Sequence, residues 1–301
     1  MEKRENLFLN PTKEKMKEIR EYFGRTVELS RQRLGRSILG EDLDLYKIGE
    51  GARKILFVGA HHGSEHITAS LLYYFLDKVA GGKGKIFGID KALYLKTYSI
   101  FVLPLLNPDG VTLSVLGAYK NPLSERQKRM AGDEGFLRWQ ANARGVDLNH
   151  NYSEGFVEYK RIEKERGILP GRSLYSGEYP ESEPESHSLA NLVRTLDFSL
   201  VVSLHSQGEE IYYFPKGMGK GSATRSVKKI AERLSGELGY RVCVPKDTAL
   251  YGGLCDYSGE SLGIPSLTLE VGRGENPLPN SEYYRIREAV ARALFLMPTW
   301  L

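Results

Sequence analysis

Cysteine and tryptophan are scarce in this 301-residue chain, with two of each. Two thiols cannot build the cross-linked framework of a small secreted module, and a chain of this length buries enough apolar surface to fold without bridges. Cys243 and Cys255 are therefore expected as reduced thiols. Long hydrophobic runs are missing too: no segment approaches the roughly 20 apolar residues that span a bilayer. The opening stretch MEKRENLFLNPTKEKMKEIREYF carries charges throughout, where a signal peptide requires an uninterrupted apolar core. The expected location is the cytoplasm, with no membrane partner. Nor does charge of one sign dominate. The 42 Lys and Arg against 38 Asp and Glu leave a net charge of +4 with both signs scattered, so no polybasic arm for nucleic acid is present, while an acidic substrate stays compatible. No repeat of fixed period occurs, and the glycine-rich GGKGK and PKGMGKGS lack phosphate-loop spacing and do not join a strand to a helix start. Both read as surface turns.

What is present is an ordinary globular composition, 41% hydrophobic and 27% charged. Residues from Pro11 to Phe23 favour a helix, and the weakly alternating ELSRQRLGRSILGEDLDLYKIGEG predicts antiparallel strands. Next, KILFVGAHHG is an apolar run ending in Gly and His, and HITASLLYYFLDKVA repeats its apolar residues at helical spacing. SIFVLPLLNPDG, FSLVVSLHSQG and SLTLEVGRG are further strands closed by polar turns, separated by helical PESHSLANLVRTL, SATRSVKKIAERLSGEL and SEYYRIREAVARALFLM. This order predicts an α/β fold: a single three-layer domain whose mixed, largely parallel central sheet is covered by helices. Residues 1–38 are expected as a cap packed on a catalytic domain of residues 39–301.

His62, His205 and Glu270 each stand at or just beyond the C-terminal end of an apolar strand, where open α/β sheets place their ligands. His62 and Glu65 form a His-x-x-Glu pair entering a helix, a spacing that directs both side chains to one side. Two imidazoles and a carboxylate suit a catalytic zinc, which keeps three protein ligands and one open position. The spacing alone is weak, since such pairs arise by chance and a histidine is more often a hydrogen-bonded structural residue. In SLTLEVG, alternation sets Ser266, Thr268 and Glu270 on one face and Leu267, Leu269 and Val271 on the other. Glu270 is then either a salt-bridge partner of a base such as Arg273 or a general base acting on water.

Taken together, GAHHGSEH, LLNPDG, NARGVDLNHNY, VVSLHSQGEEIYYF and TLEVG resemble the zinc carboxypeptidases, in that family's order, from about Leu39 to Met297. The resemblance implies one Zn2+ per chain held by His62, Glu65 and His205, with Glu270 activating water for attack on a peptide carbonyl. It implies that Arg144 polarises that carbonyl, although an exposed arginine can equally be a plain surface cation. Tyr251, in LYGGLCDY, is matched to the family's substrate-closing tyrosine or is simply packed. His61 and His66 flank the motif and read as groups around the ligands or on the surface.

The chain departs from the carboxypeptidase pattern at DLNHNY, where the family has Asn-Arg and clamps a terminal carboxylate with that arginine. Here the pair is Asn149 and His150, and imidazole cannot offer the same fork. SLHSQGEEIYYF, YGG and EVGRGENPLP are similar to the branch that cleaves γ-D-glutamyl-diaminopimelate bonds of cell-wall peptides. The expected partner is therefore a peptide or muropeptide, with Asn149, His150 and Arg144 as candidates for its carboxylates. Two alternatives stay open: a metallocarboxypeptidase removing C-terminal residues, and a non-catalytic domain that binds cell-wall peptides.

Overall fold

Six consecutive buried residues, Tyr98–Leu103, make β6, a pattern expected only of a strand covered on both faces. In the computed structural model, which describes residues 6–213, 222–244 and 251–301, β6 lies inside an eight-stranded sheet of order β1-β2-β6-β3-β7-β10-β8-β9. The four central strands, β6, β3 (Arg53–Val58), β7 (Phe198–His205) and β10 (Ser266–Glu270), run parallel. On one side β2 (Asp42–Ile48) pairs antiparallel with β6, and β1 (Leu29–Arg36) antiparallel with β2. On the other, β8 (Glu210–Tyr213) runs antiparallel to β10 and carries β9 (Arg241–Cys243) at the outer edge. A short hairpin, β4 (Lys85–Ile86) with β5 (Ile89–Asp90), stands apart. The sheet is thus mixed and parallel at its centre, as the sequence predicts.

Alternation along the strands feeds two cores. Ile55, Phe57, Leu200, Val202, Leu267 and Leu269 enter the larger one, beneath the helices Ile67–Gly81, Ser222–Leu238 and Asn280–Leu296. Leu56, Val58 and Val201 enter the other, beneath Pro184–Thr195. The opening segment belongs to this architecture. Phe8, Met16, Ile19 and Phe23 join the larger core, with the Phe8 and Phe23 rings stacked at 5.5 Å. Arg20 and Arg31 close on the buried Asp44 of β2 at 2.7 and 2.8 Å. Of the two glycine-rich turns, GGKGK links the helix Ile67–Gly81 to β4, while PKGMGKGS, apart from Ser222, lies outside the described residues. Neither cysteine is bridged; Cys255 is buried with Thr268 Oγ1 at 3.3 Å from its sulfur. No helix among the described residues is long and apolar enough to cross a membrane.

The sheet's carboxyl ends are tied to the N-terminal turn by buried carboxyl groups. Asp109 accepts from Ser37 Oγ at 3.0 Å and from the Leu39 amide at 2.9 Å. Glu185 accepts from the Ile38 amide at 3.2 Å, and Asn142 donates to Glu183 at 2.7 Å. Burial, and after it the charge of Asp109, lifts Glu185 to about 8, and burial lifts Asp109 to about 6. A carboxyl whose pKa is raised in the folded state stabilises fully below its unfolded value, and that stability is lost as pH climbs through the folded value. The melting temperature should therefore fall between about pH 4.5 and about pH 8, where the unfolded carboxyl is ionised and the folded one is still protonated, and Glu185→Gln should flatten that fall in thermal denaturation followed by circular dichroism. Parallel curves for the two proteins would refute the role of Glu185.

Candidate active site

The neighbouring positions of β3 and β7 decide the site, because the loops leaving their carboxyl ends must meet. After β3 the chain turns through Ala60, whose φ of 50° is unusual for a residue with a side chain. Thr68 holds this turn, its hydroxyl taking the Ala60 amide at 2.8 Å and donating to the Glu65 carbonyl at 2.8 Å. Asn107, of the Asn-Pro-Asp-Gly turn after β6, staples it from below by donating to the His61 and Ala141 carbonyls at 3.0 and 3.1 Å. Between His62 and Glu65 the backbone passes so close to its neighbours that a Cβ on Gly63 would stand 2.3 Å from the Gly110 carbonyl oxygen and 2.7 Å from that of Trp139. Only glycine fits there.

This geometry brings His62, Glu65 and His205 together, with one donor atom of each lying within 4.8 Å of the others. The Glu65 carboxylate is bracketed: His62 Nδ1 lies 2.8 Å from one oxygen and His205 Nδ1 3.0 Å from the other. The Ser206 amide donates to the second oxygen at 3.2 Å. Behind His62, Nε2 lies 3.1 Å from Asp147 Oδ1, the outer hydrogen bond that fixes the ring's tautomer and leaves Nδ1 facing the carboxylate. Asp147 is itself held by the Asn149 and Leu174 amides. Among the described residues His205 has no such partner, and its Nε2 is buried without a hydrogen bond.

Electrostatics agree with a cation site. Burial opposes ionisation of Glu65, yet His62 and His205 hold its carboxyl down at about 2. Burial likewise disfavours a charged His62, but Glu65 and Asp147 outweigh it and raise the ring's pKa well above the ordinary value. The field that draws a proton to this point draws a divalent cation equally, and the donor set of two imidazoles and one carboxylate is that of a catalytic zinc. The residues fit the metal.

Glu270 ends β10 in register with His205, and the two strands are joined there by the Val271 amide donating to the His205 carbonyl. Burial, then the charges of Glu65 and Glu210, raise its carboxyl well above the ordinary value. Arg273, the alternative ion-pair partner of Glu270, is instead engaged with Glu209 at 2.5 Å. His61 and His66 are not surface groups. His61 is fully buried, stacked on His205 at 5.2 Å and bonded to the Tyr152 hydroxyl at 3.1 Å, and His66 is also buried.

Asn149, His150 and Tyr251 are also assembled. His150 stacks on Tyr159 at 4.0 Å and its Nδ1 donates to the Tyr251 carbonyl at 2.8 Å, while Asn149 Oδ1 accepts the Leu254 amide at 3.3 Å. Gly252, at φ 76°, lets the chain pass against the His150 carbonyl, which a Cβ would meet at 2.6 Å. Burial lowers the His150 pKa against the pull of Asp147, leaving a neutral ring at pH 7. Arg144 is half-exposed, 3.8 Å from Glu183, and lines a cavity of about 300 Å³ with Arg126, Tyr175 and Tyr179, whose lining includes none of His62, Glu65, His205 and Glu270. Arg138, two residues before the Gln140 carbonyl that accepts the Gly63 amide at 2.9 Å, is exposed and pairs with Glu275. Asp147 was missed as a positioning group by sequence reasoning, although it sits inside the DLNHNY motif.

The family model for zinc carboxypeptidases matches residues 12–293. The chain is 29% identical over 274 residues to gamma-D-glutamyl-L-diamino acid endopeptidase 1 of Lysinibacillus sphaericus, an alignment covering 89% of this chain and 66% of that protein. It is 30% identical over 282 residues to the uncharacterized protein YqgT of Bacillus subtilis (strain 168), covering 89% of this chain and 72% of that one. The chain thus spans about two thirds of the length of the first relative. Among solved structures, thrombin activatable fibrinolysis inhibitor superposes with a TM-score of 0.70 at 19% identity, covering 95% of this chain and 75% of the other. Murein-tripeptide amidase MpaA of Escherichia coli O157 gives 0.51 at 19% identity, covering 90% of each chain. At these identities the structural likeness speaks for the fold.

If the bracketed carboxylate is the metal's seat, His205→Ala should lose stoichiometric zinc in elemental analysis. Asp147→Asn should keep the fold but weaken zinc affinity about 10- to 100-fold in a chelator competition. Unchanged affinity in Asp147→Asn would remove Asp147 from the metal's support.

Proposed function

The chain belongs to the zinc carboxypeptidase family and is a zinc-dependent metallopeptidase, and we propose that it hydrolyses the amide bond between a γ-D-glutamyl group and a diamino acid in cell-wall peptides. The observation that carries the substrate is the 29% identity to a γ-D-glutamyl-diamino acid endopeptidase over 89% of the chain. It is supported at the site by the neutral His150, already committed through Nδ1 to the Tyr251 carbonyl, where a carboxypeptidase of the family presents an arginine. A neutral imidazole cannot clamp a terminal carboxylate in two-pronged fashion, which disfavours plain removal of C-terminal residues.

His62, Glu65 and His205 are the proposed zinc ligands. The ion's Lewis acidity, when it is bound, polarises the scissile carbonyl and lowers the pKa of a water molecule. The chain's own groups do the rest. Glu270 takes a proton from the attacking water and returns it to the departing amine, breaking the carbon–nitrogen bond. Arg144 is the proposed donor to the developing oxyanion, and Asn149 and His150 line the path of the substrate's carboxylates, with Tyr251 beside them. The sheltered floor around Glu65 and Asp147 keeps the ligand set rigid through the cycle.

Two predictions test this. Mass spectrometry of a defined muropeptide incubated with the zinc-loaded protein should show cleavage after γ-D-glutamate, and Glu270→Gln should retain zinc while losing at least about 1,000-fold in kcat/KM. Removal of C-terminal residues from ordinary peptides would favour a carboxypeptidase, and tight muropeptide binding with no product from zinc-replete protein a binding domain. Separately, Arg144→Ala should cost about 100-fold in kcat/KM. A loss confined to Arg138→Ala would move the oxyanion role to Arg138.

A further inference from the structure

Strand register extends the active site beyond Glu270. Across β7, β10, β8 and β9, the partners His205, Glu270, Glu210 and Arg241 form one row, and one step back Ser203, Thr268, Tyr212 and Cys243 form the next. Residues paired in this way project from the same face of the sheet. The row therefore leads from the proposed metal ligand, through the proposed base, to a second carboxylate and then a cation at the edge.

Glu210 sits directly opposite Glu270, and two like charges facing each other across an antiparallel pair destabilise the sheet. Its side chain is largely buried, only 17% exposed. One oxygen accepts the Tyr212 hydroxyl and the other pairs with the Arg241 guanidinium, whose side chain is 75% exposed on the outermost strand. A solvent-screened edge pair of this kind contributes little stability and is readily displaced. An anionic group thus faces the reacting centre with a weak, replaceable counter-ion, at a cost that fold stability alone does not explain.

We infer that Glu210 is a specificity-determining residue on the leaving-group side, where its carboxylate receives the side-chain ammonium of the diamino acid released by hydrolysis. This rests on the reading of Glu270 as the base that protonates the departing amine. If the amine leaves beside Glu270, the residue carrying it lies over β10 and β8. The next ionic group outward is Glu210, one strand away, roughly 5 Å, a span that a four-carbon side chain covers. The Tyr212 hydroxyl orients the carboxylate, and Arg241 pairs with it until the ammonium replaces it.

The test compares N-acetyl-γ-D-glutamyl-L-lysine with its L-norleucine counterpart, which lacks the terminal amine, using zinc-loaded full-length wild type and Glu210→Gln matched for zinc content and melting temperature. Wild type should prefer the lysine compound at least tenfold in kcat/KM. Glu210→Gln should lose that preference, falling about 10- to 100-fold on lysine and less than twofold on norleucine, with Glu210→Asp retaining part of it. A parallel loss on both compounds, or no preference in wild type, overturns the inference. Calorimetric affinities for the same two compounds separate it from the hydrolytic reading. A lysine preference in binding that Glu210→Gln abolishes, with neither compound cleaved, upholds Glu210 and removes the proposed reaction; equal affinities with cleavage intact do the reverse.

Discussion

The whole site depends on one buried carboxylate, Glu65, held between two imidazole rings. An isolated ionised carboxylate at this depth is too costly to maintain, so the fold must bring compensating groups from distant parts of the chain and hold them there. His62 arrives with Glu65 on the loop after β3, and His205 arrives 140 residues later at the end of β7. That meeting is possible only because β3 and β7 are neighbours and run parallel, with both carboxyl ends on one edge. The neighbouring constraints follow from it. Asn107 pins the loop from the end of β6, Thr68 closes its turn, and Gly63 permits the tight backbone crossing between the two residues that face the cation.

Around this centre charge is arranged in layers. Glu65 and Asp147 are ionised because the His62 ring, hydrogen-bonded to both, offsets their burial, whereas Glu270 and Glu185, with no such bond and with like charges beside them, are pushed toward the protonated form. Burial is common to all four, so the partner and not the depth decides the state. The same contrast separates the two possible ways of reading a substrate. Arginines stand on the rim, at Arg138, Arg144 and Arg241, paired with glutamates and partly in solvent, while the interior position at residue 150 holds a neutral imidazole. A ligand carboxylate can therefore find its cation at the periphery and not at the floor.

Much of this was legible in the sequence because the central strands are buried on both faces and so read as continuous apolar runs. KILFV, SIFVL, SLVVSL and SLTLE could hardly be anything else, and the polar residues that follow them had to gather at one edge. The peripheral strands were harder. β1 is mostly exposed and β9 spans only Arg241–Cys243, so neither has a buried pattern to read. What spacing could not reveal is anything that depends on meeting across the fold: Asp147 behind His62, Asp109 beside Glu185, the burial of His61 under His205, and the register that sets Glu210 against Glu270. An arginine near a motif is similarly ambiguous, since Arg138 and Arg144 are separated in role only by what each side chain reaches.

The two imidazoles are fixed by different physics, and the difference bears on how the site tolerates change. His62 is oriented by a hydrogen bond to an ionised Asp147, an interaction whose geometry is directional and whose loss frees the ring to choose its other tautomer. His205 has no partner on its far nitrogen among the described residues and, beside its bond to Glu65, is oriented by packing, stacked against His61 at 5.2 Å and edge-on to His62 at 4.9 Å. His61 is in turn held by Tyr152 and Ser203. Burial makes the His61 ring neutral, with the neighbouring His205 adding to the effect, so it supports His205 as a flat apolar surface and not as a charge. One ligand's position is thus set by electrostatics and the other's by shape. The two supports meet only where the rings touch edge-on, so freeing His62 from Asp147 loosens one face of His205 while its stack on His61 stays.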